Sequence, residues 1–348
     1  MRKGSTGSST ACRSGRKELL VIAPNWIGDV VMATPFLSVL RNENPDDFIT
    51  VMCREYVSEL LLRCTYIDRL VTCGKGVPAA VRALRGGRPE GGWDAAFLLP
   101  MSFSTAIAVF LSGSSRRFGY RSGGREVLLT DPVSSELHRT IHLSEEYVRF
   151  ARLYSATEAS ETPAPCVIPP YDWKERTGAF GLEGGYAVFA AGAAYGPAKV
   201  WPLDRFAVLA GRLREEKGLR TVTVGSGKER DYLDQITEAN DDVLNLAGRS
   251  GIGDLMSVLR GADLVVGNDS GPVHVSAAMG VPTVSIFGST SPVWTSPRGP
   301  RSSVVTSGAG CSPCFKRECP EGDTHCLQDI DVDDVFDAAI EIMREKIE

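Results

Sequence analysis

Short, mostly apolar runs recur along this chain, many ending in a turn of small residues and followed by a segment with helical spacing of its apolar positions. Leu19–Ala23, Phe48–Met52, Leu70–Thr72, Trp93–Leu99 and Arg117–Gly119 read as strands of a first half. Between them, a helix carrying Val30, Val31, Ala33, Phe36, Leu37 and Leu40 is followed by helices over 58–63, 77–84 and 105–111. A second half repeats the alternation, with strands Tyr186–Ala190, Arg220–Val224, Leu264–Val266 and Pro282–Phe287 and helices over 203–217, 230–240, 252–260 and 272–279. Strands apolar on both faces, alternating with helices, predict parallel sheets covered on both sides, hence an α/β protein. An amphipathic helix over 145–152 ends the first half. The stretch 156–170, with Pro163, Pro165, Pro169 and Pro170, then reads as a linker between two units.

The region from Ala262 to Pro292 is the most organised stretch. A buried strand gives way to the polar turn Gly267–Gly271, a helix taken to begin at Pro272, a second apolar strand and another Gly/Ser turn. Ligands of doubly wound sheets bind beyond such strand ends. Backbone N–H groups at a helix start, with the Ser270 hydroxyl and Gly271 alongside, suit a phosphate. A cap at Asp269 or Ser270 explains the same residues without any ligand.

A length of 348 residues favours two cores over one. The net charge of −5 gives no support for nucleic-acid binding. The basic, Ser/Gly-rich start, residues 1–17, reads as a tail rather than a signal peptide, because the apolar run behind it is too short. A cytoplasmic protein with reduced thiols is expected.

Individual residues admit two roles each. Asp29, in PNWIGD at a helix start, fits an N-cap and equally a general base in a cleft between the units. A helix start would lower its pKa and burial would raise it. Lys199 in GPAKVWP fits a phosphate contact or a solvated loop position. His274 lies in the first turn after Gly271, where packing, capping and ligand contact all fit. Gly225-Ser226-Gly227-Lys228 completes neither a P-loop nor a dinucleotide fingerprint. Cys311, Cys314, Cys319 and Cys326 fall within sixteen residues, with His325 adjacent. They could hold a structural zinc, form a redox-labile group, or be pinned as disulfides, the last disfavoured by the compartment.

Three motifs in order, VIAPNWIGDVVMATPFLSVLR, GAAYGPAKVWP and NDSGPVHVSAAMGVPTVSIFGSTSP, resemble glycosyltransferase family 9, and within it the type II ADP-heptose:lipopolysaccharide heptosyltransferases. The loop CSPCFKRECP resembles one in a subset of those sequences. The resemblance implies a GT-B fold, two Rossmann-like domains facing each other across a cleft. Residues 18–165 would form the acceptor domain and residues 175–330 the nucleotide-sugar domain. Residues 331–348 would be a helix packing back toward the first domain.

It further implies inverting transfer of L-glycero-D-manno-heptose from ADP-heptose to the heptosyl-Kdo2-lipid A inner core of lipopolysaccharide, with no cofactor required. Asp29 matches the family's base and Lys199 a lysine near the donor phosphates. Asp269, Ser270, Gly271 and His274 match the donor-binding turn. Glu229 is the nearest match to a further donor-site acid. Pro272-Val273 departs from the family pattern. The lipid-linked acceptor implies peripheral contact with the inner face of the cytoplasmic membrane, with Arg116, Arg117 and Arg121 as candidate contacts. Rival readings are heptosyltransferase I or III, a GT-B-like nucleotide-sugar epimerase that ignores lipid acceptors, and a zinc-stabilised binding protein without turnover.

Overall fold

The computed structural model describes residues 15–158 and 161–344. Most of the expected N-terminal tail, and the last four residues of the expected closing helix, lie outside the described residues.

Among the described residues, twelve strands form two parallel six-stranded sheets. The first holds β1 (Glu18–Ile22), β2 (Phe48–Arg54), β3 (Arg69–Cys73), β4 (Ala95–Leu98), β5 (Arg116–Tyr120) and β6 (Asp131–Val133), in the order β3-β2-β1-β4-β5-β6. The second holds β7 (Tyr186–Ala190), β8 (Arg220–Thr223), β9 (Val243–Asn245), β10 (Leu264–Asn268), β11 (Thr283–Ile286) and β12 (Ser302–Val305), in the order β12-β11-β10-β7-β8-β9. Counted from its own first strand, each sheet has the 3-2-1-4-5-6 order of a doubly wound fold. The order reverses between β1 and β4 in one sheet and between β7 and β10 in the other, which is where such folds open a crevice. Central strands are buried throughout: β7, β10 and β11 have no exposed position.

Three strands were not anticipated. β6 and β9 have three residues each and β12 only partly buried positions, so none carries an apolar run. All three are edge strands, recruited by a neighbour's free backbone groups rather than by their own side chains. The first expected helix is two, Ile27–Met32 and Thr34–Glu43, joined at Ala33 just before Pro35. Proline disfavours helical geometry in the residue before it, here the first residue of the second helix, and so marks the break.

The helix Leu143–Ser155 packs against Thr34–Glu43 in the first unit, and Trp173–Gly178 packs against Ile252–Gly261 in the second. The closing helix Val332–Arg344 corrects an expectation. It lies on β11, β12 and the helix Leu203–Lys217, all in the second unit, instead of crossing to the first. Its buried face, Val335, Phe336, Ala339 and Ile342, completes the apolar cluster of Phe189, Leu209, Val284 and Ile286 over β11 and β12.

The two units meet where the helices Ile27–Met32 and Gly271–Ala278 contact each other. Two glycines permit this approach. A Cβ on Gly28 would lie 2.7 Å from the His274 ring, and one on Gly271 would lie 2.7 Å from Ile27 Cβ. Both distances are below van der Waals contact, so any larger residue would push the units apart.

Candidate active site

A cavity of about 550 Å³ opens between the carboxyl ends of the two sheets. Asp29, Lys199, Glu229, Asp269, Ser270, Gly271 and His274 all line it. Residues separated by more than two hundred positions are therefore brought to one chamber by the topological switch points of two separate sheets.

Asp269 follows β10 and is buried. Its Oδ2 accepts from Lys199 Nζ at 2.5 Å and from Thr290 Oγ1 at 2.6 Å, and its Oδ1 lies 3.6 Å from His274 Nε2. Burial by itself would push this carboxyl up. Hydrogen bonding from His274 and the charge of Lys199 outweigh it and hold the group at about 2. Lys199 is placed by Asn268, the residue before Asp269. Asn268 accepts from the Trp201 backbone N–H at 3.0 Å and donates to the Ala191 carbonyl at 2.6 Å, tying both ends of the lysine loop to the end of β10. The sequence alone shows Asn268 as one more polar turn residue.

The helix following Asp269 runs Gly271–Ala278, one residue earlier than expected, with Ser270 at its N-cap. Ser270 makes no capping hydrogen bond, and its buried hydroxyl has no partner among the described residues. The capping explanation of Ser270 therefore does not hold. An unpartnered hydroxyl at a helix start, in a cavity that Lys199 also lines, fits an anionic oxygen arriving from the cavity.

Asp29 faces this group from the other unit. It sits in the first turn of Ile27–Met32, whose N-cap position is taken by Trp26, so Asp29 is not the cap. Burial, the largest influence, raises its pKa to about 6; His274 and Lys199 pull it down and Asp269 pushes it up. Of the two opposing effects open in the sequence, burial wins. An ionised carboxylate more basic than usual, open to a cavity and opposite a cationic cluster, suits a general base at neutral pH.

Glu229 closes the far end. Its Oε2 accepts from the Ser226 backbone N–H at 2.8 Å and the Ser226 hydroxyl at 2.7 Å, forming a capping box, while its other oxygen lies over Gly192.

Several lining residues were not singled out from the sequence: Thr290, Tyr195, Ile252, Leu255, Trp294, Phe315 and Arg139. Thr290 had a signal, since it lies in the Gly/Ser turn after an apolar strand, the place where ligand-facing polar groups collect. Ile252 and Leu255 lie on the helix Ile252–Gly261, whose apolar spacing does not say that they face a cavity, and Tyr195, Phe315 and Arg139 come from loops whose course no periodicity encodes.

For Cys311, Cys314, Cys319 and Cys326, no group of three or more His, Cys, Asp or Glu side chains among the described residues is arranged to hold a metal ion. Cys326 is buried in the core beside Leu327, whereas Cys311 is exposed on the loop. Burial and then the three neighbouring thiols push Cys326 up to about 11. The loop's visible role is steric: it brings Phe315 to the cavity wall, with Tyr195 donating to the Phe315 carbonyl at 2.8 Å and the Phe315 N–H donating to Ser289 at 2.7 Å.

Residues 81–325 match the sequence model described as Glycosyltransferase family 9 (heptosyltransferase). Lipopolysaccharide heptosyltransferase 2 of Escherichia coli (strain K12) is 29% identical over 330 residues, covering 90% of this chain and 94% of the relative. Lipooligosaccharide heptosyltransferase 2 of Haemophilus ducreyi is 28% identical over 346 residues, covering 91% and 97%. The solved structure of the E. coli ADP-heptose lps heptosyltransferase II superposes with a TM-score of 0.80 at 26% identity, over 94% of this chain and 98% of that one.

Proposed function

This chain belongs to glycosyltransferase family 9, and from that premise we propose that it transfers L-glycero-D-manno-heptose from ADP-heptose to the heptosyl-Kdo2-lipid A inner core of lipopolysaccharide, with inversion at the anomeric carbon. The observation that carries the reading is one cavity with Asp29 on one unit and the Lys199–Asp269–Ser270 group on the other.

Each group has a task. Asp29 takes the proton of the acceptor hydroxyl as its oxygen attacks the anomeric carbon. The bond from that carbon to the diphosphate breaks on the opposite face, and ADP leaves with the electron pair. Negative charge grows on the leaving diphosphate, where Lys199, the Ser270 hydroxyl and the N–H groups at the start of Gly271–Ala278 meet it. Asp269, held ionised, fixes Lys199 and His274 in place. Glu229, beyond β8, marks the end for the nucleoside. These groups supply the stabilising charge themselves, so the reading requires no cofactor.

Release of ADP from ADP-heptose is expected only when heptosyl-Kdo2-lipid A is present. Release without acceptor would instead mean epimerisation or hydrolysis and would overturn the reading, and release with only a Kdo2-lipid A acceptor would assign the type I reaction.

The acceptor's lipid anchor places the enzyme at the inner face of the cytoplasmic membrane. No helix among the described residues is long and apolar enough to cross a membrane. Of the three arginines considered, Arg116 is paired with Asp131 at 2.6 Å, and Arg117 donates to the Leu128 and Ser114 carbonyls. On the same unit Phe103, Phe110, Leu111 and Val127 are exposed, and such a patch with Arg121 free to approach anionic headgroups suits peripheral contact. Sedimentation with anionic vesicles should carry the wild type down and leave an Arg121→Glu, Phe110→Ser variant in solution; equal partition of both would remove this contact from the reading.

A further inference from the structure

The end of the cleft away from Glu229 holds an arginine that the transfer chemistry leaves unused. In the second sheet β11, β10, β7 and β8 lie side by side in that order. The turn after β8, with Glu229, and the turn after β11, leading to Trp294, are therefore three strand spacings apart, about 14 Å. The phosphate-suited helix start follows β10, between the two.

At the β11 end the first unit contributes Arg139, whose backbone is left-handed with φ 66. That conformation is costly for a residue with a Cβ and persists only where the surroundings impose it. The imposing group is Glu146, fully buried. Its carboxylate accepts from the Arg139 backbone N–H at 3.1 Å and from the Trp294 indole at 2.8 Å, and lies 3.1 Å from His138 Nδ1. One carboxylate thus joins both units and fixes the direction in which the arginine leaves the chain. The guanidinium lies 5.1 Å from the Trp294 ring centroid and 4.3 Å from that of Phe315, at the cavity wall. Among the described residues no carboxylate pairs with it and no hydrogen bond engages its five donors. Arg125 of the same unit is the contrast, buried and committed to the carbonyls of Tyr120 and Pro100.

We propose that Arg139, braced by Trp294 and Phe315, is a specificity-determining residue that binds an anionic group, carboxylate or phosphate, on the acceptor saccharide. A planar guanidinium held against aromatic faces is preorganised for two parallel hydrogen bonds to such an oxyanion. The donor is not the partner, because its diphosphate is met from the second unit by Lys199 and Ser270 and its nucleoside end lies at Glu229. Arg139 arises from the first unit, beyond the sugar. The cysteine-rich loop thereby acquires a purpose, since Phe315 is one of the two faces. The inference rests on the transfer reading above.

The test is steady-state kinetics of wild type, Arg139→Met and Arg139→Lys with the intact acceptor, a dephosphorylated acceptor, and one whose sugar-acid carboxyls are methyl esters. Arg139→Met should raise the acceptor KM about 10- to 100-fold, the span expected for a hydrogen-bonded charge. Donor KM and kcat at saturating acceptor should stay within about twofold of wild type, and Arg139→Lys should recover part of the loss. On the acceptor lacking the recognised anion the wild type and Arg139→Met should converge, and which acceptor does so separates phosphate from carboxylate. An unchanged acceptor KM, or a loss confined to the donor KM, overturns the proposal. Calorimetric binding of the delipidated acceptor saccharide gives the same comparison without turnover. A wild type that releases no ADP yet binds this saccharide more tightly than Arg139→Met would refute the transfer reading and keep the anion site; equal binding would refute the site.

Discussion

Asparagine at position 29 should lower kcat by about 10²- to 10⁴-fold, the usual contribution of a positioned general base, while making the protein more stable at neutral pH. Both effects have one cause. Burial in the cleft raises the Asp29 pKa from 3.8 to about 6, which makes the carboxylate a stronger base and also makes its ionisation in the folded state costly. The folded state holds this proton more tightly than the unfolded chain does. The associated stability is therefore full below the unfolded value of 3.8, falls as pH rises through about 6, and is absent above it. The shift of roughly two units corresponds to at most about 3 kcal/mol. Asparagine removes that penalty without changing shape. Wild-type kcat/KM should show an acidic limb near pH 6, and the residual activity of the variant should lack it. Near-wild-type turnover in Asp29→Asn, or a lower melting temperature, would remove Asp29 from the role of base.

Replacement of Lys199 by methionine should cost about 10²- to 10³-fold in kcat through lost stabilisation of the leaving diphosphate, and about 3–5 kcal/mol of stability, because a buried carboxylate loses its cation. Asp269 would then retain only Thr290 and His274. Its lowered pKa gives the sign of the pH dependence. Wild type draws stability from this group above its unfolded value of 3.8 and loses it as pH falls toward about 2, an amount on the order of 2 kcal/mol. In the Lys199→Met background that acid-dependent component should shrink. A double-mutant cycle with Asp269→Asn separates the pair from its members. The double variant should be more stable than the sum of the single losses predicts, since neither charge is then left buried alone. Strict additivity in the cycle would show that the two side chains do not act together.

These two predictions rest on different amounts of sequence information. Asp29, Lys199, Asp269, Ser270, Gly271 and His274 were all legible as candidates, because each sits in the loop after an apolar strand or in the first turn of the helix behind it, and in a doubly wound sheet every such segment lies at the same edge. What separated their alternatives was not local. Asp29 could be a cap or a base until Trp26 was found at the N-cap and protein from both units around the carboxyl. Ser270 could be a cap until its hydroxyl was found buried and unpartnered. The cysteine spacing was suggestive of zinc, but spacing constrains only how far four thiols are apart along the chain. Packing puts Cys326 into the core beside Leu327 with the other three thiols near it, and among the described residues no such group has the arrangement of a metal site.

The same division holds for the whole chain. The sequence by itself determined the α/β class, the strands buried on both faces, the helices between them and the turns that carry chemistry, because each of these is written in side-chain periodicity over a few residues. Tertiary structure alone decided the edge strands β6, β9 and β12, the seat of the closing helix on the second sheet, the ionisation of Asp29 and Asp269, and the Glu146 brace that aims Arg139 between Trp294 and Phe315. Those features depend on contacts outside the local periodicity, from strand partners 13 to 22 positions away in one sheet to the Glu146–Trp294 contact 148 positions apart between the units.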